Sequence, residues 1–193
     1  MSFIKTLLHR INIKRQIKKN LKSNGFNRRQ FKKSLEEYRN RELDIHEILS
    51  REYSENVIID VYEYCMRKCN WNPSVLKDGS IKDFLLCVLF EAEVAYGGMS
   101  QFLSDSSGDM CEETLTALKK LDDKYASILT EALKCFPDGI APKDRNLRNG
   151  QMDQFNESIV NRIDELDQIA YEHGMSRKEY DFLMAHKSDF LAF

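Results

Sequence analysis

The residues with reactive chemistry gather in one stretch, Glu91 to Glu113. Ser106 and Ser107 offer hydroxyls, but no histidine stands nearby in the sequence to act as a base. Glu91 and Glu93 are two apart, so on a helix they point to different faces and do not make an acid/base pair. Asp105, Asp109, Glu112 and Glu113 form an acidic group that suits helix capping and a solvated face, with a cation site as the alternative. Cys65 and Cys69 lie four apart on an expected helix, yet no histidine or second cysteine pair completes a zinc set. His9, His46, His173 and His186 are scattered. No HExxH, P-loop, nucleophile elbow or paired CxxC occurs. We expect no enzyme activity, no metal and no cofactor.

The chain of 193 residues is 42% hydrophobic and 31% charged, the balance of a soluble domain with a real core. Three prolines and eight glycines leave room for long helices. No apolar run approaches the roughly 20 residues of a membrane span, and the N-terminus has no cleavable leader pattern. Five cysteines, an odd number, suit free thiols in a reducing compartment, so a cytoplasmic location is expected. The net charge of −2 hides a division: residues 1–41 carry 13 Lys/Arg against 2 Asp/Glu, a charge of +11. The remainder carries 16 against 29, a charge of −13. We read residues 1–41 as a basic helical arm and 42–193 as an acidic body. The arm has three destinations: the acidic body or a second copy in a homodimer, an anionic membrane surface, or nucleic acid.

The elements that position these groups read as helices throughout. Ser54 opens a helix bearing Val57, Ile58, Val61, Tyr62 and Cys65, ended by Trp71-Asn72-Pro73. The run from Phe84 to Tyr96 is too long for a strand and apolar nearly all round, which marks a buried central helix. Gly97-Gly98 breaks it, a short helix through Gln101 follows, and Ser106-Ser107-Gly108-Asp109 turns the chain. Asp109 and Glu112 have capping-box spacing for a helix through Leu115, Leu118 and Leu121. Asp122-Asp123 opens a helix with the stripe Tyr125, Ile128, Leu129, Ala132, Leu133 and Phe136. A loop follows through Pro142, with a polar segment to Gly150, and Gln151 to Tyr171 reads as one helix carrying Phe155, Ile159, Ile163, Leu166 and Ala170. Gly174 stops it, Ser176 caps a last helix, and the apolar tail Phe190 to Phe193 docks. The fold class is all-α, a compact multi-helix domain around a buried central helix.

Glu93-Val94-Ala95-Tyr96-Gly97-Gly98-Met99-Ser100-Gln101-Phe102, followed by Ser106-Ser107-Gly108-Asp109, resembles the signature of the DNA-mimic-protein-like domains, the domain-of-unknown-function family numbered 4375. That signature runs roughly E-x-x-N-G-G-x-x-Q-[FY], a short gap, then S-[ST]-G-[DE]. Thr114 to Leu118 resembles its alanine-leucine helix. Phe136-Pro137, Pro142, Asp144-Arg145 and Arg148 resemble its FP…P-x-D-R-x-x-R segment, and Leu166-Asp167 with Tyr171 its closing helix. The likeness spans roughly residues 55–172. It departs at Tyr96, where the signature has Asn, and the basic residues 1–41 are outside it.

The resemblance implies an all-α fold and a protein that imitates duplex DNA with acidic side chains to occupy a DNA-binding protein, or an immunity-like role against a toxin. The motif residues Glu93, Gly97, Gly98, Gln101, Phe102, Ser106, Ser107, Gly108 and Asp109 read as structural: glycines for a turn, Gln101 for a buried hydrogen bond, Asp109 for a cap. Partner contact is expected from carboxylates outside the apolar stripes: Asp105, Glu113, Asp122, Asp123, Asp153, Glu157, Asp164 and Glu165. The expected partner is a basic protein. The alternative is an adaptor whose basic arm binds nucleic acid or an anionic membrane.

Overall fold

A computed structural model describes residues 40–174 and 176–193. The basic-arm reading, with its membrane, nucleic-acid and homodimer alternatives, falls almost wholly on residues 1–39 and so lies outside the described residues. Among the described residues there are nine α-helices and no strand. They are α1 (Ile45–Ile48), α2 (Glu55–Lys68), α3 (Ser80–Ser104), α4 (Cys111–Leu121), α5 (Asp123–Leu133), α6 (Arg145–Met152), α7 (Glu157–His173), α8 (Ser176–Ala185) and α9 (Lys187–Ala192). Single 3₁₀ turns at Pro73–Val75, Ser106–Met110 and Pro137–Gly139 join some of them. The fold is all-α.

α3 is the axis. Its apolar residues run nearly all round, so it needs apolar cover on both sides, and it separates two cores. Leu86, Cys87, Phe90, Val94, Met99, Phe102 and Leu103 face the first, filled by α4, α5 and α7. There Phe90 stacks edge-on against Phe102 and Tyr125, with centroids 4.8 and 5.7 Å apart. Phe84, Leu85 and Val88 face the second, filled by α1, α2, α8 and α9. Phe190 of α9 closes that core against Phe84, so the apolar tail does dock.

α3 continues through the glycine pair as two helical arms set at an angle. Gly98 has φ +77°, a region that L side chains rarely adopt, and this is the break expected from the sequence. Two expectations need correction. The polar segment to Gly150, given no element from the sequence, holds a helix: Asp144 accepts from the Leu147 N–H and starts α6. The helix expected from Gln151 to Tyr171 is two elements, because Asn156 accepts from the Ile159 N–H and opens α7 afresh. Phe155 stays in phase with the later stripe by packing on Phe136 from the connecting segment.

Candidate functional site

The motif residues assemble into one joint around the C-terminal arm of α3. Asp167, on α7, accepts a hydrogen bond from the Met99 N–H at 2.6 Å, which caps the arm beginning there. Burial outweighs that bond and leaves the Asp167 carboxyl above its usual range. Gln101 folds back against Gly97. It is half-buried and packs there rather than making the expected buried hydrogen bond. Phe102 is core. Ser106 is exposed and starts the 3₁₀ turn, while Ser107 is buried and donates its hydroxyl to Glu93 Oε2. Burial pushes the Glu93 carboxyl up to about 7, with Ser107 pulling the other way and Asp105 adding to the rise.

Asp109 does not cap a helix. The cap position of α4 is Met110, and no side chain bonds there. The 3₁₀ turn Ser106–Met110 carries the chain into α4 and points Asp109 at two arginines instead: Arg148 at 2.7 Å and Arg145 at 3.3 Å. Burial raises its carboxyl, but the arginines prevail and it lies below the usual range. The residue that sequence reading undervalued is Arg148. It is 0% exposed. Its guanidinium donates to the carbonyls of Leu103, Asp105, Pro142 and Lys143 as well as to Asp109. It thereby satisfies the orphan carbonyls at the end of α3 and ties α6 to them. Gly108 makes room for it: a Cβ there would lie 2.5 Å from the Leu103 carbonyl oxygen and 2.8 Å from Arg148 Nε. The Asp144-Arg145 and Arg148 matches in the sequence were the signal for this network.

The expected contact carboxylates divide. Asp105, Asp123, Asp153, Glu157, Asp164 and Glu165 are exposed. Glu165 pairs with Arg162 at 3.0 Å, and half-buried Glu113 with Lys143 at 3.2 Å. Asp122 is not a surface group. It is buried, accepts from the Lys124 and Tyr125 N–H groups as N-cap of α5, and bonds His173 at 2.8 Å and Lys178 at 3.0 Å. Burial raises its carboxyl, but Lys178 and His173 outweigh this and lower it. Asp60, Glu63, Asp83, Glu91 and Glu179 are buried too, so six carboxylates of the body are withdrawn from the surface. Besides Asp122, three of them meet cations: Asp60 and Glu63 bond Arg41, and Asp83 bonds Lys120.

Four of the exposed carboxylates share one face of α7. Glu157, Asp164, Glu165 and Glu172 stand at i, i+7, i+8 and i+15, within about 100° of helical arc. Exposed Val160 and Tyr171 flank them. Glu172 was missed because it falls beside the apolar stripe's end.

Among the described residues no group of three or more His, Cys, Asp or Glu is placed to hold a metal. Burial pushes the Cys65 and Cys111 thiols up to about 12, so neither is a thiolate at neutral pH. No described helix is long and apolar enough to cross a membrane.

No curated protein and no solved structure matches the chain. A family model described as DMP19-like protein matches residues 78–186, more than half of it. The match starts later than the likeness read from the sequence and runs on through α8. It takes in the whole Gly98–Asp167 and Gly108–Arg148 joint, and on this ground the chain belongs to the DMP19-like family.

Proposed function

We propose that this protein is a non-catalytic binding module whose acidic face occupies the basic, DNA-contacting surface of a protein partner, a DNA-binding regulator or a nucleic-acid-directed toxin. Family membership supports a DNA-mimic-like role in general. The observation that carries the finer reading is the α7 face. Its carboxylates at Glu157, Asp164, Glu165 and Glu172 span 15 residues, about 22 Å of helix axis. A DNA strand of that length presents roughly six phosphates. Four carboxylates on α7, with Asp153 at its foot, cover that length with fewer charges, the adjacent Asp164 and Glu165 each about 10–12 Å along the axis from Glu157 and Glu172. Arg162 offsets part of it through Glu165. Exposed charges of one sign steer a cationic partner and are screened beyond about 8 Å at physiological salt.

The test is binding of a basic partner by the full chain and by a variant with Glu157→Gln, Asp164→Asn, Glu165→Gln and Glu172→Gln. Affinity should fall steeply with salt and by more than tenfold in the variant, with melting temperature retained. Equal affinity of the two proteins would remove α7 from the interface. The adaptor reading rests on the +11 charge of residues 1–41. Tight binding of duplex DNA or anionic vesicles by the full chain, with no protein partner, would favour it.

A further inference from the structure

A second surface lies on the other side of the motif joint. A cleft of about 460 Å³ opens between the end of α2, the Pro73–Val75 turn, α3 and the Ser106–Met110 turn. Met66, Pro73, Leu89 and Met110 form apolar walls, and Glu93 lies among them. Trp71 stands at its rim, 58% exposed. Asn70 and Trp71 both have positive φ, at 57° and 61°. Two successive non-glycine residues in that region are strained, and such strain persists where the surroundings enforce it, often at binding sites. Here it turns the chain's one tryptophan outward at the cleft mouth.

We propose that this cleft binds an arginine side chain of a partner protein, the guanidinium between the Glu93 carboxylate and the Trp71 ring. The occupant follows from charge and shape. Ser107 takes Glu93 Oε2, and among the described residues no Lys, Arg or His forms an ion pair with Glu93. A half-buried carboxyl without a cation, set in apolar walls, favours a planar cation that also brings methylenes. Arginine stacks its planar guanidinium on an indole face and forks onto a carboxylate in one plane; lysine, a point charge, does neither as well. The cleft shares no carboxylate with the α7 face, so the inference goes beyond the proposed function and does not need it.

Tyr62, Asp105 and Asp109 are the titratable groups around Glu93, with Cys69 beside Tyr62. Burial keeps Tyr62 neutral, Asp109 stays charged against its arginines, and Asp105 adds negative charge. Glu93 therefore governs the pH response. With its carboxyl at about 7, it is mostly protonated at pH 6 and mostly ionised at pH 8.

The experiment is titration of the full chain with acetyl-arginine-amide, read by Trp71 fluorescence, which reports the cleft alone. We expect a saturable change that is weaker with acetyl-lysine-amide and absent with acetyl-glutamine-amide. Affinity should rise about tenfold from pH 6 to pH 8. Glu93→Gln, which keeps an acceptor for Ser107, should lose at least tenfold at pH 8 and the pH dependence with it. Trp71→Leu, at an exposed position, should weaken binding measured by calorimetry. Asp164→Asn, on α7, should leave binding unchanged. No saturable response, or the same response in Glu93→Gln, or an equal loss in Asp164→Asn, would overturn the assignment.

Discussion

Replacing Arg148 with lysine keeps the charge and removes the fork. The arginine serves five acceptors, four carbonyls and Asp109. A lysine ammonium has three donors at one point on a shorter stem, so at least two acceptors are left without a partner. An orphaned buried acceptor costs about 1–3 kcal/mol, so Arg148→Lys should cost roughly 2–6 kcal/mol. That is a large part of the roughly 5–15 kcal/mol of a whole domain. Urea unfolding followed by circular dichroism reads it as a drop in midpoint at unchanged slope. Gly108→Ala attacks the same contact from the other side, through the Leu103 carbonyl and Arg148 Nε. Its effect and that of Arg148→Lys should therefore be markedly non-additive in the double variant. A loss below about 0.5 kcal/mol for Arg148→Lys, within the range of neutral surface changes, would refute the view that this residue holds the joint together.

Three further outcomes follow from other buried or bridging groups. Asp109→Asn should destabilise about as much as Asp109→Ala, because its charge between Arg145 and Arg148 matters rather than a cap; rescue by Asn in thermal melts would restore the capping reading. Its lowered carboxyl also means that this contribution is present above the ordinary carboxylate range and is lost as pH falls through the folded value. Glu179 shows the opposite sign. Complete burial first, then the neighbouring Glu91, hold its carboxyl well above the usual range, so the native state keeps a proton that the unfolded chain releases. Stability should therefore decline as pH rises from about 4.5, and Glu179→Gln should raise the melting temperature at neutral and alkaline pH with the gain vanishing in acid. A pH-independent difference in melting would contradict this. Gly98→Ala should cost about 1–3 kcal/mol from its backbone alone, at positive φ with extended ψ, and more from contact with Asp167; unchanged melting would remove Gly98 from the joint.

The helical stripes made most of this architecture legible. Val57 to Cys65, Phe84 to Tyr96 and Tyr125 to Phe136 each bury the face that their spacing predicts. α6 was hidden because the side chain it buries is Arg148, which a hydrophobic pattern cannot register. The α7 start was hidden because Phe155 keeps the phase of the next helix while belonging to the connection before it. Capping-box spacing misled at Asp109, since a 3₁₀ turn ahead of α4 shifts the cap to Met110. Surface carboxylates were the least legible. Nothing in the local sequence separates Asp122, buried against His173 and Lys178, from exposed Asp123 beside it. Their difference arises from α7 and α8 arriving from more than 50 residues away.

We propose above all that the acidic face stands in for DNA. The most direct test is competition: a basic DNA-binding partner held by the immobilised full chain is challenged with duplex DNA of increasing length. Duplex DNA should displace the partner, displacement and direct binding should depend alike on salt, and neutralising Glu157, Asp164, Glu165 and Glu172 should abolish the hold. A partner that binds duplex DNA and this protein at once, with neither weakening the other, would contradict it.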